Sequence, residues 1–95
     1  ILDVLARNGV AAQDVAEVIV HQANLNLLQR VATGVGAPIE RFYSNIARYG
    51  NTSSASVLIA AREWFAQARL QPGQRVCFAV FGAGFHWGSL LAEAA

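Results

Sequence analysis

The sequence has no methionine, no lysine and only one cysteine, Cys77. A single cysteine excludes a disulfide framework and a cysteine-type metal site, and it fits a reducing compartment such as the cytoplasm. Seven arginines and six acidic residues leave a formal net charge of +1. Because like charges form no run, the chain offers no electrostatic surface for nucleic acid or an anionic membrane. We therefore expect no nucleic-acid partner, no membrane partner and no bound metal.

Formal charge is also absent from residues 76 to 92, a run of seventeen residues. That length approaches the roughly 20 residues that span a bilayer as a helix. Gly82, Gly84 and Gly88 divide the run into two pieces of strand length, rich in Val, Phe and Trp. The pattern predicts two β-strands rather than a membrane helix.

The chain opens with "ILDVLARNGV", a pattern typical of the last turns of a helix that ends at Asn8 and Gly9. A native chain does not ordinarily begin inside a helix and without methionine. We therefore expect residues 1–95 to form the C-terminal domain of a longer protein.

Strand-like and helix-like patterns alternate along the rest of the sequence. They predict a strand "EVIVH", a helix from a cap at Asn24 to about Val35, a strand "RFYSNI", a long helix from Ser53 to Leu70, and the strands "RVCFAVF" and "FHWGSLLAEA". This order indicates an α/β fold with a mixed sheet. The long helix is apolar on all sides around residues 57–61, which predicts a buried central helix.

Three of the loops carry polar or glycine residues: "HQAN", "YGNTS" and "FGAGF". Ligands of α/β sheets gather at loops beyond strand ends. If these loops share one edge of the sheet, His21 and Asn51 converge with the backbone of the glycine turn. Taken singly, His21 could equally be a core histidine beside a helix cap, and Asn51 a loop amide that satisfies local backbone.

The segments "HQANLNLLQRVATGVG", "RYGNTSSASV" and "QPGQRVCFAVFGAGFHWGS", with their spacing, resemble the C-terminal half of β-ketoacyl-acyl carrier protein synthase III, in the thiolase-like superfamily. The resemblance covers nearly the whole chain. It implies half of a thiolase-like fold, with a mixed sheet and a buried central helix that packs against an N-terminal half.

The resemblance also implies a Cys-His-Asn site that loads an acyl group onto cysteine and condenses it with a malonyl thioester after decarboxylation. His21 and Asn51 match the histidine and asparagine, whereas the family's nucleophilic cysteine lies upstream of these residues. Cys77 lies in an apolar strand, where a thiol is inert, so we interpret it as core. The backbone of Ala83 matches part of the oxyanion hole, and Phe81 matches a position beside the acyl pocket.

Ala23, Asn24 and Leu27 match positions at the mouth of the pantetheine tunnel in the family. The sequence departs from the family where basic residues often hold the acidic carrier protein, because it has Asn26, Thr33 and Gly34 there. Docking of the usual carrier is therefore in doubt.

The implied partners are acyl-CoA and acyl carrier protein thioesters as substrates, the N-terminal half of the same protein and a second copy in a homodimer, with no further cofactor. Alone, the chain is expected to be inactive, because it lacks the nucleophile. Two alternatives stay open: acyl transfer to an oxygen or nitrogen nucleophile in secondary metabolism, and a non-catalytic partner subunit.

Overall fold

The computed structural model describes residues 1–84 and 86–95, so Phe85 of the "FGAGF" turn lies outside the described residues. The helices and strands, in chain order, are α1 (Leu2–Arg7), β1 (Glu17–Val20), α2 (Leu25–Val35), α3 (Ile46–Tyr49), α4 (Ser56–Gln67), β2 (Arg75–Gly82) and β3 (His86–Glu93). Short 3-10 turns lie at Ala12–Asp14, Ile39–Arg41 and Ser53–Ala55.

The three strands form one mixed sheet in the order β1-β2-β3. β1 runs parallel to β2, with Val20 opposite Ala79, and β2 runs antiparallel to β3, with Phe81 opposite Trp87. The α/β class and the mixed sheet predicted from the sequence are confirmed. Because β1 and β2 are parallel and adjacent, the residues that follow β1 lie beside the C-terminal end of β2.

The ends of α2 follow the predicted capping pattern. The Asn24 side chain accepts a hydrogen bond from the Leu27 N–H (2.8 Å), and Gly36 ends the helix in the left-handed conformation. The buried side of α2 presents Leu28 and Ala32 to the core. Local sequence alone therefore defines this helix.

Alternate residues of β1 pack into two different layers, as the two-residue period of a strand requires. Val18 and Val20 face the side that carries Leu5 of α1 and Leu28 of α2. Ile19 faces the other layer with Ala60 of α4. Helices thus cover both faces of the sheet at β1, which is almost completely buried.

The long helix predicted from Ser53 to Leu70 is shorter, because a 3-10 turn precedes α4 at Ser53–Ala55. Ser56 and Ala60 face the sheet and are buried. On the opposite side Leu58 is 70% exposed and Phe65 is 46% exposed. Within this chain the central helix is therefore covered on one side only, as expected for one half of a layered fold.

The strand predicted at residues 41–46 is wrong. Phe42 makes one isolated parallel bridge with Val18, and the rest of the segment belongs to a 3-10 turn, irregular backbone and α3. Pairing with β1 ends after Tyr43, whose N–H donates to the Val18 carbonyl (3.2 Å). Beyond that bond, the Gln22 side chain makes the hydrogen bonds that a continuing strand would make.

Gln22 is 0% exposed, and its amide bonds the segment as a neighbouring strand would. Its Nε2 donates to the carbonyl of Tyr43 (3.1 Å) and its Oε1 accepts from the N–H of Asn45 (3.1 Å). A parallel strand engages the same two groups, a C=O and the N–H two positions further on. A third bond, from Nε2 to the Val20 carbonyl (2.8 Å), ties the amide back to β1.

Among the helices that the structure describes, none combines the length and the apolar character needed to cross a membrane.

Candidate active site

A cavity of about 780 Å³ lies where three loops meet: the end of β1, the segment before α4, and the turn between β2 and β3. His21, Asn51 and Ala83 all line it. The other lining residues are Ser53, Ser54, Val57, Val80, Phe81, Gly82, His86, Trp87 and Gly88. The fold therefore brings the three polar loops of the sequence into one site.

His21 is held at the cavity wall by backbone and ring contacts. Its backbone N–H donates to the Ala79 carbonyl (3.0 Å), which extends the pairing of β1 and β2 by one residue. Its ring meets the Phe81 ring edge-on, with the centroids 5.2 Å apart and the planes at 78°. Phe81 thus packs against the imidazole as well as lining the cavity.

Ser56, the first residue of α4, contacts the imidazole of His21 through its hydroxyl group. Its Oγ lies within hydrogen-bond distance of His21 Nδ1 and accepts a hydrogen bond from the Gln22 N–H (3.1 Å). The side chain is buried. No sequence pattern indicates this contact, because the two residues are 35 positions apart.

Asn51 is oriented by its own turn. Its Oδ1 accepts a hydrogen bond from the Ser53 N–H (2.9 Å), and because a backbone N–H can only donate, this contact identifies the oxygen. The Nδ2 group is the end of the amide that keeps donor capacity. Asn51 is therefore a loop amide that satisfies local backbone through its oxygen, and it is also one of the residues that line the cavity.

Backbone strain surrounds Asn51. Gly50 has φ 62° and ψ −153°, a region open essentially to glycine alone. Ser53 has φ 56°, the only positive value among the non-glycine residues that the structure describes. Such conformations persist where the surroundings enforce them, and they concentrate at functional sites.

In the β2–β3 turn the positive φ falls on Gly84 and not on Ala83. Gly84 has φ 80°, and a Cβ there would lie 3.1 Å from the His86 ring. Ala83 is not among the described residues with positive φ, so its methyl group fits the turn without strain. The exposed His86 side chain also lines the cavity.

Of the cavity-lining residues that the structure describes, none carries a carboxylate. The polar side chains there are histidine, asparagine and serine, and apolar walls from Val57 and Val80 surround them. A negative charge that develops in this site meets hydrogen-bond donors and no like charge. The arrangement is suited to stabilising an oxyanion.

The predicted tunnel residues lie outside this cavity lining. The Asn24 side chain is engaged as the cap of α2, and Ala23 and Leu27 are half-buried beside it. The positions without basic residues, Asn26, Thr33 and Gly34, line a separate cavity of about 540 Å³ on α2, together with Gln29 and Arg30.

Cys77 is fully buried in β2, and burial raises the pKa of its thiol. A thiol in this position favours its neutral form and is a poor nucleophile. The interpretation of Cys77 as core agrees with this. The described residues contain no cluster of three or more metal-ligating side chains.

The mixed sheet with a helix layer on each face, together with a histidine and an asparagine at one end, defines an α/β chain of the thiolase-like type. The chain belongs to the family described as 3-oxoacyl-[acyl-carrier-protein (ACP)] synthase III C terminal, whose model matches residues 5–94. The resemblance seen in the sequence is thereby confirmed.

Relatives from several bacteria support this membership. The β-ketoacyl-[acyl-carrier-protein] synthase III of Nitratidesulfovibrio vulgaris, strain Miyazaki F, is 51% identical over 89 residues, which are 94% of this chain and 27% of that protein. The corresponding protein of Gloeobacter violaceus is 49% identical, with the same coverage.

Solved structures show the same fold. The 3-oxoacyl-(acyl carrier protein) synthase III of Pseudomonas aeruginosa superposes with a TM-score of 0.89 at 39% identity, over 98% of this chain and 29% of that one. The enzyme from Aquifex aeolicus gives 0.91 at 35% identity, over 97% of this chain and 30% of that one. The chain thus spans less than a third of the length of these relatives.

Proposed function

We propose that this chain supplies the histidine, the asparagine and part of the oxyanion hole of a β-ketoacyl-acyl carrier protein synthase III-like acyltransferase. The observation that carries the proposal is the convergence of His21, Asn51 and Ala83 on one cavity. Family membership supports it, since the relatives are named as synthases of this type. The nucleophilic cysteine is expected in the part of the protein outside these residues.

In the proposed reaction an acyl group is transferred from a thioester to that cysteine, with loss of the donor thiol. A malonyl thioester then loses CO₂, and the electron pair of the broken C–C bond forms an enolate. Neutral His21 and Asn51 Nδ2 donate hydrogen bonds to the enolate oxygen, and the enolate carbon attacks the acyl-cysteine. The Ala83 N–H serves the oxyanion of that attack, which collapses and releases the cysteine thiolate.

The same proposal covers the partners and the location. CoA or phosphopantetheine thioesters are the substrates, with Ala23, Asn24 and Leu27 at the entrance and Phe81 beside the acyl group. The N-terminal half covers the exposed apolar side of α4, and the complete protein forms a homodimer. A single free cysteine fits a cytoplasmic enzyme.

The test is decarboxylation of a malonyl thioester by the full-length protein that carries this segment. His21→Ala should lower the rate about a hundredfold, because one of two enolate donors is lost, whereas acyl-cysteine formation should persist in part. Ser44→Ala, at an exposed position outside the cavity lining, is the control. Wild-type decarboxylation in the His21 variant would refute the assignment of His21.

The products separate the remaining alternatives. Acyl transfer to an oxygen or nitrogen nucleophile would give an ester or amide without release of CO₂. A non-catalytic subunit would give neither product and would form no acyl-enzyme.

A further inference from the structure

The position of Ser56 determines which nitrogen of His21 carries the proton. Its Oγ accepts the N–H of Gln22 (3.1 Å) and contacts His21 Nδ1. A serine hydroxyl has one proton to donate and two lone pairs to accept with. Once the bond from Gln22 is made, the direction of the bond to His21 decides whether that proton finds an acceptor.

Two arrangements are possible in principle. If Nδ1–H donates to Oγ, the hydroxyl accepts twice and its own proton needs another acceptor, but Oγ makes no further hydrogen bond with the residues that the structure describes. Ser56 is 1% exposed, so a stranded O–H donor would be buried at a cost in free energy. If the hydroxyl donates to Nδ1, every group is satisfied.

We infer that Ser56 is a positioning residue that donates its hydroxyl proton to His21 Nδ1 and so holds the proton of the neutral imidazole on Nε2. The other ring nitrogen then serves as the hydrogen-bond donor toward the cavity. This inference rests on the proposed function, which requires a neutral imidazole with an N–H toward the enolate.

Contacts from three parts of the fold fix this arrangement. The Gln22 N–H comes from the chain just after β1, and Ser56 comes from the first turn of α4. Phe81 on β2 packs edge-on against the same imidazole ring, which limits its rotation. The ring therefore has little freedom to exchange its two nitrogens by flipping.

Imidazole ¹⁵N NMR on the full-length protein tests the inference directly, with the His21 signal assigned by its loss in His21→Ala. In the wild type and in Ser56→Thr, which keeps the hydroxyl, Nδ1 should give the shift of an unprotonated acceptor and Nε2 that of a protonated nitrogen. In Ser56→Ala both tautomers should be populated. A wild-type spectrum with the proton on Nδ1 would overturn the inference, even if the Ser56→Ala variant fails to fold.

Kinetics provide the second measurement. Ser56→Ala should lower kcat for malonyl thioester decarboxylation by roughly 10- to 100-fold, in line with loss of a bond that fixes a histidine tautomer, with little change in KM. Ser56→Thr should recover most of the rate, and Ser44→Ala should match the wild type. Unchanged kcat and tautomer in folded Ser56→Ala would refute the positioning role. If the wild type does not decarboxylate malonyl thioesters, the proposed function fails, and the NMR result still decides the role of Ser56.

Discussion

Two polar regions lie side by side at the end of β1, and they differ in what their hydrogen bonds serve. In the buried region the Gln22 amide makes three bonds to protein groups and is shut off from solvent. In the cavity region His21 and Asn51 each make one side-chain hydrogen bond to a protein group, and both residues line the cavity. Neighbouring residues 21 and 22 thus belong to different regions.

The difference explains why an apolar chain carries three polar residues just after a buried strand. Gln22 replaces a missing strand pairing, Asn24 caps α2, and His21 faces the cavity. Substitutions in the buried region should reduce stability more than turnover. Substitutions in the cavity region should reduce turnover more than stability.

The largest effect on stability is expected at Gln22. Gln22→Leu keeps the bulk but leaves the Tyr43 carbonyl and the Asn45 N–H without partners, at a cost of roughly 2–4 kcal/mol in the free energy of unfolding. Denaturant unfolding of the full-length protein measures it. Gln67→Leu, on the exposed end of α4, is the matched control and should cost far less. An equal loss in both variants would show that the Gln22 bonds contribute nothing specific.

Gly50→Ala should lower both the stability and the turnover of the protein. The backbone at φ 62° and ψ −153° is open essentially to glycine, so alanine either imposes strain of roughly 1–3 kcal/mol or shifts Asn51. Thermal unfolding and decarboxylation should both decline. The control is Gly73→Ala, also at positive φ (86°) but in the turn before β2, which should lower stability alone. Normal turnover in Gly50→Ala would show that Asn51 does not depend on this backbone.

The smallest effect concerns Glu17, a half-buried carboxyl on β1. Burial raises its pKa to about 7, against weaker opposing effects of the Trp64 and Arg41 side chains. The folded state therefore holds a proton that the unfolded state releases above its ordinary pKa, and this contribution to stability is lost as pH rises toward and through 7. Glu17→Gln should raise the melting temperature at pH 8 and change it little at pH 5.

Exposed Glu40→Gln is the control for that measurement. A Glu17→Gln variant with the same shift at both pH values would contradict the burial effect. Because Glu17 lies at the start of β1 and His21 follows its end, the variant should leave turnover unchanged.

The sequence predicted best those features that depend on neighbouring residues. The Asn24 cap and the Gly36 end of α2 follow from local backbone chemistry, and the strands around the glycine turn follow from composition. The segment "RFYSNI" has strand composition but forms one bridge residue, Phe42, because the Gln22 side chain takes over its pairing. Strand-like hydrogen bonding by a side-chain amide produces no periodic pattern in the sequence.

The sequence allowed us to predict which residues form the candidate site, but not the contacts and backbone conformations that hold them. Placing loops at one end of a sheet brings His21 and Asn51 together, but the Ser56 contact depends on the angle at which α4 meets the chain after β1. The left-handed conformation of Ser53 was also not predictable, since serine carries no sequence signal for positive φ. Such features depend on tertiary packing between segments distant in sequence.

Asn51→Asp gives the most direct test of the cavity region, because it keeps the shape of the side chain and the acceptor for the Ser53 N–H. It replaces the Nδ2 donor by a carboxylate oxygen that faces a developing anion, so repulsion adds to the lost hydrogen bond. In the full-length protein we predict that malonyl thioester decarboxylation falls at least about a hundredfold while the melting temperature stays close to that of the wild type. A variant that keeps most of the decarboxylation rate would contradict the catalytic role of Asn51 and leave it a structural loop residue.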